Sequence, residues 1–229
     1  MTMAQQLQDV LGLRRAPVAV TFRATPPEGV ARARPGAPSS CTYWKLAAEG
    51  QTFYTEAADH TGCPIGAYTH GIDMPADTAQ QLQDVVTTMV QLGYIRTEEV
   101  SGIPRRKEAF GVAVYAPLAQ VGEQPDVVLV CGNARQVMLL AEAAQAAGVG
   151  AGTGLMGRPT CAAIPEALRT GQGVGSLGCI GNRVYTGLAD EDLYFILPGS
   201  QVTVVTEKLA GIVNANSELE RYHRAKMGD

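Results

Sequence analysis

Four of the five cysteines of this chain stand in two similar settings. In the first, Gly36-Ala37-Pro38-Ser39-Ser40-Cys41 opens a helix-like stretch. Gly62-Cys63-Pro64-Ile65-Gly66 follows it, ahead of Tyr68-Thr69-His70. In the second, Gly157-Arg158-Pro159-Thr160-Cys161 opens a similar stretch, and Gly178-Cys179-Ile180-Gly181 precedes Tyr185-Thr186-Gly187. Cys41 and Cys161 fall beside predicted helix N-termini, where unpaired N–H groups and the helix dipole favour a thiolate. Cys63 and Cys179 lie next to glycines, which let the backbone approach closely and aim amide hydrogens at sulfur. Both environments suit ligand thiolates, and iron–sulfur clusters are tuned by such N–H···S contacts. The leading expectation is a thiolate-ligated metal centre, a 4Fe-4S cluster in the first instance. Its ligands would be Cys41, Cys63, Cys161 and Cys179. No Cys-x-x-Cys pair occurs, so the chain has neither a zinc ribbon nor a ferredoxin run.

Around such a centre the sequence offers Trp44, Gly62, Gly66, Gly178, Gly181 and Arg183 as cofactor-binding candidates. The reaction expected is redox or Lewis-acid chemistry on a small anionic or planar molecule, with an electron-transfer partner as one prospect. Two other readings stand beside it. One is a metal-free enzyme with Cys41 or Cys161 as nucleophile and His60 or His70 as base. The other is a non-catalytic module that holds a planar cofactor against Trp44 and the glycine loops. Asp59, Arg158 and Arg183 are supporting candidates, whereas His223 lies in a charged tail. Cys131 ends an apolar strand and reads as a buried side chain. The glycine-rich stretch Gly148–Gly157 lacks the Gly-Lys-Ser/Thr ending of a phosphate loop and is expected to be a flexible loop beside the site.

The elements that must position these residues follow from periodicity. Strands are expected at Pro17–Phe22, Thr52–Thr55, Phe110–Ala116, Asp126–Cys131, Leu193–Leu197 and Gln201–Thr206. Helices are expected at Gln5–Leu13, Cys41–Glu49, Pro75–Leu92, Asn133–Ala147, Ala162–Arg169 and Leu209–Met227. In the third of these, Leu82, Val85, Val86, Met89 and Val90 form an apolar face. The fold expected is α+β: a mixed sheet with outer helices, a single domain over 1–229. Two pseudo-repeats, approximately 14–100 and 110–212, would pack about a two-fold axis. Val18–Phe22 would match Val127–Val130, with the Asn133–Ala147 helix inserted in the second copy.

The bulk numbers bound the function. A formal charge of −4 gives no basic footprint, which argues against nucleic acid. No apolar run reaches the roughly 20 residues of a membrane span, and Met1–Val10 lacks the basic and apolar regions of a signal peptide. A cytoplasmic protein is expected. There the five cysteines would not form a disulfide framework.

With Cys41-Thr-Tyr-Trp-Lys, Cys63-Pro-Ile-Gly and Ser176-Leu-Gly-Cys179-Ile-Gly-Asn-Arg identified, the chain resembles domain-of-unknown-function family 169, an uncharacterised group of archaea and bacteria. The resemblance runs from Leu11 to about Ile212. It implies the extent of the fold and carries no activity, so the cluster reading rests on residue chemistry alone.

Overall fold

The computed structural model describes residues 2–156 and 158–227. Along the chain, α1 (Met3–Leu11) leads to β1 (Val18–Arg23), α2 (Ser40–Ala48) and β2 (Phe53–Glu56). Three helices follow: α3 (Pro64–Thr69), α4 (Ala76–Gln91) and α5 (Thr97–Val100). Then come β3 (Val112–Pro117), β4 (Val127–Asn133), α6 (Ala134–Ala146), β5 (Ala151–Met156) and α7 (Ala163–Thr170). The chain closes with β6 (Gly173–Ser176), α8 (Ile180–Thr186), β7 (Asp192–Pro198) and α9 (Val202–Met227). Among the described residues no helix is long and apolar enough to cross a membrane.

The strands form one sheet in the order β2-β3-β1-β4-β7-β6-β5. From β2 to β6 in that order each strand runs antiparallel to the next, and β5 joins the edge parallel to β6. The centre is the β1–β4 pair, where Ala19 faces Val128 in register. A period of two sends alternate side chains to opposite faces. Val18, Val20, Val127, Leu129 and Ile196 join Tyr43 and Trp44 of α2 and Ile164 of α7 in one core. Ala19, Val128, Val130 and Leu197 join Leu7 of α1, Leu140 of α6 and Val205 of α9 in the other. The protein is therefore a three-layer α+β structure with helices on both faces of a mixed sheet. Fully burying a Leu or Ile side chain stabilises by about 1.5–3 kcal/mol, so two such layers anchor the sheet firmly.

The expected elements mostly fall where periodicity puts them, α3, α5, β6 and α8 are present without having been expected, and two segments differ in kind. Gln201–Thr206 is not a strand: α9 begins at Val202, and Val202, Val205 and Leu209 share its buried face at helical spacing. The valine-rich start reads locally as β, but the register against α1 and α6 decides it. The glycine-rich stretch is not a loop either. Its backbone from Ala151 to Met156 is the edge strand β5, and Gly157 lies outside the described residues.

The helices that carry the cysteines all lie in the connections between strands. Ser39 caps α2, its hydroxyl accepting from the Cys41 N–H at 3.1 Å. Cys63 caps α3, whose first helical position is Pro64, a residue with no N–H to leave unsatisfied. Cys179 is the N-cap residue of α8. Cys161 sits in a short 3-10 turn, Thr160–Ala162, that runs into α7.

A four-cysteine cavity as the candidate functional site

Cys41, Cys63, Cys161 and Cys179 all border one cavity of about 160 Å³. Its opposite wall is apolar. Leu82, Val86 and Met89 of α4 face it, with Ile95, Val100 and Ile103 from the following segment. The apolar face of α4 is only half-buried, and Thr78 is the one buried residue of that helix among those described. Ile65 of α3 and Ile180 of α8, each close behind its N-cap cysteine, add to the lining. Arg158 holds the cover in place. Its guanidinium stacks over the Tyr94 ring at 4.8 Å, donates to the Tyr94 carbonyl and reaches Glu99 at 3.9 Å.

Burial dominates the electrostatics of the thiols. It pushes Cys41 up to about 12 and Cys161 well above the usual thiol range. Cys63 is also raised by burial, against the Gly66 N–H that donates to its Sγ at 3.4 Å. Ionising any of these thiols opposes ionising the others, because each feels its neighbours' charge. The helix N-terminal setting at Cys41, expected to favour a thiolate, is outweighed by desolvation. Cys41 and Cys161 are neutral thiols at physiological pH.

That corrects the expectation of an iron–sulfur or other thiolate-ligated metal centre. Among the described residues no group of three or more His, Cys, Asp or Glu side chains is arranged to hold a metal ion. The four thiols border a common cavity without converging on a coordination point, and burial of Cys41, Cys63 and Cys161 favours the protonated form over the ligand thiolate. All five cysteines are free thiols.

Of the histidines proposed as bases, His60 has both ring nitrogens engaged, whereas His70 keeps its buried Nε2 without a hydrogen-bond partner. His60 Nδ1 meets the Ser40 hydroxyl and its Nε2 meets the Thr55 hydroxyl, both at 2.8 Å. His70 Nδ1 donates to the Gly66 carbonyl at 2.8 Å. Burial pushes His60 well below the usual imidazole range, and the nearby His70 adds to the shift. Burial likewise lowers His70, to about 4. Both are neutral at pH 7. Among the described residues neither histidine has a hydrogen bond to a cysteine, so no Cys–His nucleophile pair is assembled.

The other candidates divide. Gly181 borders the cavity. Gly62 instead abuts the Ala37 carbonyl, which a Cβ would approach to 2.5 Å, and Gly66 lets α3 lie against Ser40. Gly178 has φ +77° and turns the chain into α8. Trp44 packs edge-on against Tyr194 at 5.5 Å and lines a separate cavity of about 10 Å³ with Cys131, whose thiol burial raises to about 11. Arg183 donates to the carbonyls of Ala189 at 2.8 Å and Leu177 at 2.5 Å, closing the loop around α8. Asp59 is chelated by Arg32 through two 3.0 Å bonds. His223 packs beside Tyr222 on α9.

Sequence reasoning missed Asn182. It lies three residues after Cys179, borders the cavity and is 1% exposed. Its amide sits beside Cys41 and favours that thiol's ionised form. The only signal in the sequence is a polar residue one helical turn from a cysteine cap.

The model of domain-of-unknown-function family 169, described as uncharacterised ArCR, matches residues 6–208. The chain matches no curated protein and no solved structure. The matched span contains all four cavity cysteines, the α4 cover and Asn182. This chain belongs to domain-of-unknown-function family 169.

Proposed function

We propose that the four-cysteine cavity binds a small, uncharged, predominantly apolar molecule. The observation that carries this reading is the pairing of two walls: the half-buried apolar face of α4 on one side and buried, neutral thiols on the other. A cavity of about 160 Å³ suits a single ring with few substituents; an apolar cavity of about 150 Å³ is known to take benzene. A charged ligand is disfavoured. Arg158, the cationic side chain in the lining, is engaged by Tyr94 and Glu99, so a buried ion would lose its hydration uncompensated. Thiols contribute soft, polarisable contacts without the desolvation cost of a hydroxyl.

The same site supports a two-fold construction. The order β2-β3-β1-β4-β7-β6 reads the same from either end if β1 corresponds to β4, β3 to β7 and β2 to β6. Val18 pairs with Pro117 as Val127 pairs with Pro198, and each proline opens a 3-10 turn. Under this correspondence β3 belongs to the first half, and each half supplies one helix-start cysteine and one N-cap cysteine. An experimental structure in which superposed halves leave Cys63 and Cys179 unmatched would contradict it.

Benzene tests the binding reading. A ligand that binds only the folded state raises the unfolding midpoint with concentration. Wild-type protein should show that rise, and Met89→Trp, which fills the cavity, should not. Equal behaviour of the two proteins would refute the site.

A further inference from the structure

We infer that residues 72–105 form a lid over the cavity, opening as one body about a neck at Thr69 and Arg106, with Arg158 as its latch. The inference rests on the reading of the cavity as a ligand site and supplies the way in. The two ends of the segment meet. The Arg106 N–H donates to the Thr69 carbonyl at 2.9 Å. Gly71, at φ +74°, lies so close to the Arg106 carbonyl that a Cβ there would clash with it. Arg106 also ties this neck to the sheet. Its guanidinium stands over the Phe22 ring of β1 at 4.5 Å and over the Phe110 ring at 5.2 Å. The span beyond the neck, α4 and α5 with their connections, can therefore swing without unpairing a strand.

Little holds that span down. Among the helices and strands, α4 rests chiefly on α3, and Thr78 is the one buried residue described in its 16. By contrast α6, at 13 residues, buries Val137, Leu139, Leu140, Ala143 and Ala144. Segments with few buried apolar contacts open locally at a lower free energy than the whole fold. Arg158 reaches the lid from the far wall, just before the turn that carries Cys161. It grips Tyr94 through the ring and the carbonyl, and Glu99 through charge. Both members of the ion pair are partly exposed, so the latch is weak enough to release reversibly. Release lifts Leu82, Val86 and Met89 off the cavity and uncovers Cys41 and Cys161 beneath them.

Hydrogen exchange of the full chain, read by mass spectrometry, tests the lid. In the wild type, peptides from α4 and α5 should exchange together and faster than those from α6. Arg158→Ala should speed α4 and α5 about fivefold and leave β1 and β4 unchanged. Iodoacetamide labelling of Cys41 and Cys161 should rise by the same factor, because the same opening uncovers them. Saturating benzene should slow exchange of α4 and α5 in the wild type. If Arg158→Ala leaves α4 unchanged, or α4 and α5 exchange independently, the inference falls, while benzene binding still upholds the cavity reading. If α4 responds as expected but benzene does not bind, the cavity reading falls and the lid's role in ligand entry falls with it. Should Arg158→Ala not fold, fast exchange at β1 and β4 reveals it, and Glu99→Gln decides by the same readout.

Discussion

Cys63 and Cys179 are each the N-cap residue of a short helix, α3 and α8, and both border the same cavity. Each is partly exposed, whereas Cys41 and Cys161, set deeper against the sheet, are buried. The cavity thus has two graded pairs of thiols, and their reactivity should be graded in the same way.

At pH 8 a thiol with a pKa of about 12 is ionised to about one part in ten thousand. Native protein treated with iodoacetamide should therefore be modified at Cys63 and Cys179 well before Cys41 and Cys161. Peptide mass spectrometry over time checks the order. Early labelling of Cys41 or Cys161 would show that burial does not control these thiols.

Acid should destabilise the protein through its buried histidines. His70 is lowered from 6.5 to about 4, and His60 is lowered well below 6.5. Each folded-state value lies below the unfolded one, so the unfolded state binds more protons as pH falls. The contribution is whole above the unfolded value and is lost on acidification through 6.5 toward the folded values. Urea unfolding between pH 6.5 and 5 should show stability falling by about 1 kcal/mol per pH unit for each histidine. His70→Gln should reduce the slope. A flat profile would contradict neutral burial of the pair.

Tyr115 presents a different kind of buried polar group. Its ring stacks on Phe53 at 5.6 Å, while its hydroxyl is buried without a hydrogen-bond partner. Removing an unmade hydrogen bond and keeping the ring should stabilise. Tyr115→Phe is expected to raise the unfolding free energy by about 1 kcal/mol, measured by urea denaturation. A loss of similar size would mean that the hydroxyl is satisfied in solution.

These features were unevenly legible in the sequence. The central strands and α1, α2, α4, α6 and α7 follow from periodicity. The grouping of the four cysteines was readable from their repeated settings, but their protonation was not. Helix-end stabilisation is a local property, while the desolvation that outweighs it at Cys41 depends on α2 packing against the sheet. The apolar face of α4 was visible, but that it walls a cavity rather than a core depends on where the segment between β2 and β3 lies. Trp44 and the glycines at 62 and 66 looked like binding residues because packing and ligand approach favour the same residue types. Asn182 offers only its place one helical turn after a cysteine cap, and its burial is what singles it out.

The most direct test of the account is a methyl spectrum of the protein, labelled with carbon-13 at Met and Ile, recorded as benzene is added. Saturable shifts should appear at Met89, Ile65 and Ile180, which line the cavity, while Ile164 and Ile196 in the core stay in place. Shifts confined to residues outside the cavity, or none at all, would contradict a ligand site between α4 and the four cysteines.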